Sequence, residues 1–171
     1  MVKATDIALR ESNCILVTEK RSVHEQVKQM ITKGALKVIL ITGSGVPDLN
    51  ARILLAKFSK LQGIRIFALT DCDPWGLKIF SIYRNGSERW EYFKDLLTTP
   101  EIIRIGLKMD QCKKYKIKMD EFNTEHQDIA KNLKKLFGAN DPLRVELQEM
   151  EATKKIAALD KFVFWKNSMS S

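Results

Sequence analysis

The chain lacks several features that would assign it to a common class of protein. In its 171 residues no apolar run approaches the ~18 to 20 residues that span a bilayer. The first residues, MVKATDIALRESNC, also lack the apolar core of a signal peptide. We therefore expect an intracellular protein without a membrane segment.

Cysteine and histidine are scarce as well, with three and two residues respectively. Cys14, Cys72 and Cys112 are far apart in the sequence, and none stands at a metal-ligand spacing such as CxxC. This pattern predicts free thiols in a reducing compartment and argues against a zinc site.

Charge is abundant but unequal, because 29 Lys and Arg stand against 21 Asp and Glu, giving a net charge of +8. A basic protein gains affinity for nucleic acid, since each neutralised phosphate releases counterions. The same excess also serves ordinary solubility. Composition leaves both interpretations open.

The first half of the chain alternates between apolar, β-branched segments and segments with helical periodicity. Strands are predicted at 14–19, 37–42 and 64–71, and helices at 22–33 and 48–62. This alternation predicts an α/β fold in which a parallel sheet carries helices on both faces. The length is that of one domain.

Particular residues are expected to mark the ends of these helices. Asp48 is predicted to cap the start of the second helix, while Gly34 and Gly63 are predicted to end the two helices. A third helix is predicted at 74–84, where an Asn-Gly-Ser sequence follows.

The second half predicts one more strand and two long helices. The strand covers 101–107, and the helices cover 125–137 and 142–162 with a GAND turn between them. A basic run at 113–118 is expected to be a solvated loop.

Three carboxylates follow predicted strands: Glu19 after the first, Asp71 and Asp73 after the third. Ligands of open α/β sheets bind at the carboxyl ends of the strands, and side chains at i and i+2 of an extended segment point the same way. Clustered carboxylates repel one another unless a cation neutralises them, and ligands without imidazole or thiolate favour Mg²⁺. The alternative is structural, with Asp73 as a helix N-cap and Glu19 as a surface residue.

A loop with two glycines follows the second strand. In TGSGVPDLNAR, residues 42–52, the glycines flank Ser44 and permit a tight turn whose amides face outward. Such a loop can bind a phosphate, and Arg52 could add charge. It lacks the GxxxxGK[ST] spacing of nucleotide-binding loops, and an ordinary turn before a helix is the alternative.

Taken in this order, ILVTEK, ITGSGVPDLNAR and FALTDCDPWG resemble the toprim domain, the metal-binding fold of topoisomerases, bacterial primases and some nucleases. Together with the Tyr-x-x-Gly-Ser sequence that begins at Tyr83, they are similar to the topoisomerase VI protein that carries the toprim domain, its "A" component. They are still more similar to its eukaryotic relative, the meiotic protein that makes double-strand breaks. The family is type IIB topoisomerase-like.

The resemblance implies a toprim fold, a Rossmann-like parallel sheet with helices on both faces and a helical C-terminal extension. The implied divisions of the chain are a lead-in at 1–13, the toprim core at 14–110, the C-terminal helical part at 111–166 and a tail at 167–171.

The resemblance also implies a chemistry. In this family a tyrosine attacks a DNA phosphodiester in each strand, and the toprim Mg²⁺ helps to bind and polarise the scissile phosphate. By this resemblance Glu19, Asp71 and Asp73 would hold the metal, and Glu19 would be a catalytic residue. The candidate DNA-binding residues are Lys20, Arg21, Gly43, Ser44, Gly45 and Arg52.

The implied partners are DNA and either a second copy of the chain or an assembly with a winged-helix segment and a topoisomerase VI B-like subunit. The nucleus is the implied location for the meiotic branch.

The chain departs from the family in two ways. The nucleophilic tyrosine belongs to a winged-helix domain that precedes the toprim part, so Tyr83, Tyr92 and Tyr115 do not inherit its role. We therefore expect this chain alone not to cleave DNA by the family mechanism. Ser44 stands where relatives carry lysine, and Arg21 replaces an acid. A non-catalytic DNA- or protein-interaction module and a stand-alone toprim nuclease remain as alternatives.

Overall fold

A computed structural model of the chain describes residues 14–34 and 36–161. The predicted lead-in and tail lie outside these residues. The chain divides into two compact units, and each is made of two stretches. The first unit contains the described residues up to Leu69 together with Phe80–Arg104, and the second contains Thr70–Ile79 and the described residues from Ile105 onwards. The division at residue 110 stays a prediction.

Parallel strands form the sheet. β1 (Cys14–Thr18) pairs with β2 (Ile39–Thr42) on one side and with β3 (Arg65–Leu69) on the other, both in parallel. A fourth strand, β4 (Ile103–Gly106), completes the order β2-β1-β3-β4. β1 is apolar and buried along most of its length, as expected for a central strand covered on both faces. The predicted α/β fold is confirmed.

Two helices connect the strands of the first unit. α1 (Arg21–Thr32) and α2 (Leu49–Phe58) lie close to the predicted ranges. Asp48 is the predicted N-cap of α2, because its carboxylate accepts a hydrogen bond from the Ala51 N–H at 2.7 Å. Gly34 follows the end of α1 with a left-handed φ of +72°, which favours glycine.

The prediction that Gly63 ends the second helix is wrong. α2 ends at Phe58, and Ser59 is its C-cap residue, with an N–H that donates to the Leu55 carbonyl at 2.8 Å. The Ser59 hydroxyl also donates to the Ala56 carbonyl. Gly63 instead takes a left-handed φ of +77° in the turn that leads to β3.

The third predicted helix is confirmed as α3 (Pro74–Asn85), and Gly86 follows it with a φ of +92°. A 3-10 helix (Glu88–Phe93) and the short helix α4 (Lys94–Leu97) come next. Neither was predicted, because segments of six and four residues are too short to show a helical period.

The second unit combines helices with a small antiparallel sheet. Its helices are α5 (Met109–Lys114), α6 (Thr124–Leu136) and α7 (Pro142–Thr153). β5 (Asp120–Glu121) pairs with β6 (Lys155–Ile156) in antiparallel register. The helix predicted at 125–137 is confirmed.

Two predictions for this unit are corrected. The helix predicted at 142–162 ends at Thr153, since Lys154 adopts a left-handed φ of 54° and its carbonyl accepts the Phe122 N–H. The basic run is only partly a loop, because Lys113 and Lys114 form the last turn of α5.

Among the described helices, none combines the length and the apolarity needed to cross a membrane. The three cysteines are free thiols, as predicted.

Candidate phosphate and metal site

Glu19 lies at the carboxyl end of β1 and is held by the backbone on two sides. Its N–H donates to the Leu69 carbonyl at 3.1 Å, and its own carbonyl accepts the Gly45 N–H at 3.0 Å. Lys20 is the N-cap residue of α1 and makes no side-chain capping hydrogen bond. The partial positive charge at the start of α1 therefore lies directly after Glu19.

The loop after β2 is fixed by short-range hydrogen bonds. The Thr42 hydroxyl donates to the Thr18 carbonyl at 3.0 Å and accepts the Ser44 N–H at 3.1 Å. Ser44 and Gly45 both have positive φ values, 50° and 106°. Consecutive residues of this kind turn the backbone sharply, and Ser44 does so despite its Cβ.

These two segments enclose a cavity of about 470 Å³. Four of the six candidate DNA-binding residues, together with Glu19 and Ser22, line it: Lys20, Arg21, Ser44 and Gly45. The structure therefore brings together the helix start, two cationic side chains and the glycine loop that the sequence predicted as a phosphate site.

Arg52 is placed differently from the other candidates. Its side chain is only 3% exposed, and its Nε donates to the Leu97 carbonyl at 3.2 Å. Its Nη2 is buried and has no hydrogen-bond partner among the described residues. Burial lowers the pKa of Arg52 below its ordinary value. Arg52 thus lies behind the loop and does not line the cavity.

Tyr83 is a residue of this region that sequence reasoning did not assign. It lies on α3, is 2% exposed, and its hydroxyl has no hydrogen-bond partner among the described residues. A Cβ built on Gly43 would lie 2.6 Å from this hydroxyl oxygen. Burial raises the pKa of Tyr83, and the nearby charges of Asp48 and Glu19 raise it further while Arg52 lowers it. The available signal was the Tyr-x-x-Gly-Ser sequence itself.

The two aspartates belong to the second unit, where both bond to backbone N–H groups. Asp73 Oδ1 accepts the Gly76 N–H at 2.6 Å, which makes Asp73 a cap of α3. Asp71 is 3% exposed, and its Oδ1 accepts the Leu159 N–H at 2.8 Å. A Cβ on Gly76 would lie 2.3 Å from the Asp71 carbonyl oxygen, which explains the glycine of DCDPWG.

With this geometry in place, comparison with known families decides what the chain resembles. The family model for the toprim domain shared by Spo11 and the matching component of topoisomerase 6 covers residues 14–169. The chain belongs to this toprim family. The resemblance of its three motifs is thereby confirmed.

Individual relatives of this toprim family carry two kinds of name. The chain is 35% identical to the topoisomerase 6 "A" protein of Arabidopsis thaliana over 103 residues, which cover 60% of this chain and 24% of that protein. It is 35% identical to the meiotic recombination protein SPO11 of Mus musculus over 124 residues, or 70% and 31%. The corresponding type 2 DNA topoisomerase 6 protein of Hyperthermus butylicus is 32% identical over 108 residues, or 63% and 28%. The matches span less than a third of each of these relatives.

The carboxylates of this toprim chain fit Mg²⁺ by donor chemistry, since all three candidates are hard oxygen ligands. Asp71 and Asp73 each place one oxygen on a backbone N–H, and Glu19 belongs to the other unit. Across residues 14–34 and 36–161, no three His, Cys, Asp or Glu side chains are grouped to hold a metal ion. The three-ligand site therefore stays a prediction.

Proposed function

We propose that this chain is the toprim part of a topoisomerase VI A-like protein that makes meiotic DNA double-strand breaks. The observation that carries the proposal is the cavity at the end of β1, where Lys20, Arg21 and the Ser44–Gly45 turn adjoin the start of α1. Membership of the toprim family supports it, as does the net charge of +8.

In this proposal the chain binds a DNA phosphate in the cavity. Lys20 and Arg21 attract the phosphate by charge, and the backbone amides of the helix start and of the glycine loop orient its oxygens. Glu19 lies at the same edge as a catalytic residue. Cations and oriented amides at a phosphoryl group stabilise the charge that develops there during cleavage.

Glu19, Asp71 and Asp73 are the residues that would hold Mg²⁺. When bound, the ion would supply charge stabilisation at a phosphoryl oxygen. Asp71 and Asp73 would offer carboxylate oxygen beyond the Oδ1 atoms that accept backbone N–H groups.

The nucleophilic tyrosine is proposed to come from a winged-helix segment. Tyr83 is unsuited to the role, because its hydroxyl is buried and burial raises its pKa. The proposed assembly contains DNA, a second copy of the chain or the winged-helix segment, and a topoisomerase VI B-like subunit. Its proposed location is the nucleus.

The proposal is tested by binding of a short fluorescent DNA duplex to the chain at several salt concentrations. Replacement of Lys20 and Arg21 by alanine should weaken binding and reduce the slope of log affinity against log salt by roughly one per lost phosphate contact. The control pair is Lys57 and Lys60, which are exposed and lie outside the cavity. Equal losses in the two double variants would contradict a phosphate site at β1.

A second function is favoured by the hydrogen bonds of the aspartates. Because Asp71 and Asp73 both accept backbone N–H groups, they can serve the fold of a non-catalytic interaction module. Incubation of supercoiled plasmid with the chain and Mg²⁺ separates the possibilities. Nicking without a covalent protein–DNA adduct would indicate a stand-alone nuclease.

A further inference from the structure

Beneath the glycine loop, two buried polar side chains have atoms without partners among the described residues: Tyr83 and Arg52. We propose that Tyr83 and Arg52 are positioning residues that set the conformation of the Gly43–Gly45 loop, and through it the affinity of the chain for a DNA phosphate. This inference rests on the proposed function, because it concerns the same loop.

The contact between Tyr83 and the loop is close and rigid. A Cβ on Gly43 would lie 2.6 Å from the Tyr83 hydroxyl oxygen and 3.3 Å from the Pro47 Cα. Real Cβ atoms do not approach this closely, so the backbone at 43 rests directly against the hydroxyl. Tyr83 itself is buried, and its carbonyl accepts the Thr99 N–H at 2.8 Å. The aromatic ring therefore cannot yield without displacing the loop.

Arg52 adds a buried positive charge beside this contact. Its Nε is fixed on the Leu97 carbonyl, and its charge lowers the pKa of Tyr83, so the two side chains are near neighbours. No ion pair joins Arg52 to a carboxylate within the described part of the chain. A phosphate on the outer side of the loop would bring negative charge towards this cation, which burial screens little from water.

Together these contacts explain why two separate sequence motifs occur in one chain. The GSGVPDLNAR motif contributes the loop, the Asp48 cap and Arg52, whose N–H donates to the Asp48 carbonyl at 3.2 Å. The YRNGS motif contributes Tyr83, and a Cβ on Gly86 would lie 3.9 Å from Arg52 Nη2. The two motifs are parts of one structure behind the cavity.

A double-mutant cycle tests the contact. Gly43→Ala should weaken binding of a short DNA duplex by about tenfold, and Gly43→Ala with Tyr83→Phe should recover most of the loss, because phenylalanine lacks the clashing oxygen. Rescue of binding by a second substitution is not expected from a purely structural role. Gly138→Ala is the matched control, since a Cβ there meets nothing within 4 Å.

Two results would overturn the inference: Gly43→Ala binding DNA like the wild-type chain, or the double variant binding no better than Gly43→Ala. If Gly43→Ala does not fold, Arg52→Met and Arg52→Lys replace it in the same assay. Arg52→Met should weaken binding and Arg52→Lys should retain most of it, because lysine keeps the charge. Equal binding by the methionine and lysine variants would then reject the role of Arg52.

Failure of this inference is distinguishable from failure of the proposed function. If alanine at Lys20 and Arg21 leaves DNA binding unchanged, the phosphate site is wrong. If that variant loses binding while the Gly43, Tyr83 and Arg52 variants do not, only the positioning role is wrong.

Discussion

The Tyr83 hydroxyl lies against the backbone of Gly43, 2.6 Å from the point that a Cβ would occupy. The contact links a helix that follows the acidic motif to the loop that follows β2. It also places an ionisable group in the interior, among the charges of Asp48, Arg52 and Glu19. This placement has a measurable consequence at alkaline pH.

We expect the free energy of unfolding to fall as the pH rises above 10. The pKa of Tyr83 is raised from its ordinary value of 10.0, so above that pH the unfolded chain loses the proton while the folded chain keeps it. The unfolded state then binds fewer protons, and stability should decrease by about 1.4 kcal/mol per pH unit until the folded-state pKa is reached. Tyr83→Phe removes this dependence. Urea unfolding of both proteins between pH 9 and 11 measures it, and parallel curves would contradict the expectation.

Gly76→Ala should destabilise the fold, although alanine is normally the better helix former by about 1 kcal/mol. The added Cβ would lie 2.3 Å from the carbonyl oxygen of Asp71, and backbone atoms cannot move aside as a side chain can. We expect a net loss of about 1–3 kcal/mol or more in chemical unfolding. Gly138→Ala serves as the control and should be close to neutral. A stabilised Gly76→Ala variant would show that the helix start is placed differently.

Asp71→Ala should lower stability even when EDTA removes divalent ions. Its carboxylate accepts the Leu159 N–H at 2.8 Å in a buried position, so the substitution leaves a buried donor unpaired. The expected loss is about 1.5–3 kcal/mol. Asp110→Ala is the comparison, because the Asp110 side chain is exposed and bonds to the neighbouring Gln111 N–H. Equal effects of the two substitutions would argue against a structural role of Asp71.

Glu19→Gln separates metal binding from folding. Glu19 is only partly buried, so this substitution should leave the thermal midpoint in EDTA nearly unchanged. Added MgCl₂ should raise the midpoint of the wild-type chain by mass action and leave that of Glu19→Gln unchanged. Glu88→Gln, an exposed acid elsewhere in the first unit, should respond as the wild type does. A full Mg²⁺ response from Glu19→Gln would remove Glu19 from the proposed ligands.

The elements with strong periodicity could be predicted from the sequence. β1 to β3 are β-branched apolar runs, and the buried face of α1 repeats at helical spacing in Val23 and Val27. Asp48 could be predicted as a cap because capping needs only local contacts. The end of α7 could not be predicted, since Lys154 leaves the helix to pair with Phe122, which lies far away in the sequence.

The candidate site was predictable where a residue's position in an element decides its exposure. Lys20, Arg21, Ser44 and Gly45 line the cavity because they follow strand ends. Arg52 was misplaced because a charged residue on a helix is normally solvated, and only the packed structure shows it buried against Leu97. Tyr83 was overlooked for a related reason: its contact with Gly43 joins residues that are distant in the sequence.

The partners of the acidic segment come from the far end of the chain. Cys72 pairs with Ala157 in both directions of the backbone, and Leu159 donates to Asp71 across 88 positions. During synthesis these partners leave the ribosome last, so the segment cannot take up its final hydrogen bonds until nearly all of the described chain has been made. Readiness of the two aspartates for a metal would thus be coupled to completion of the polypeptide, and a chain truncated before Ala157 should keep Glu19 in place while losing the bonds that order Asp71.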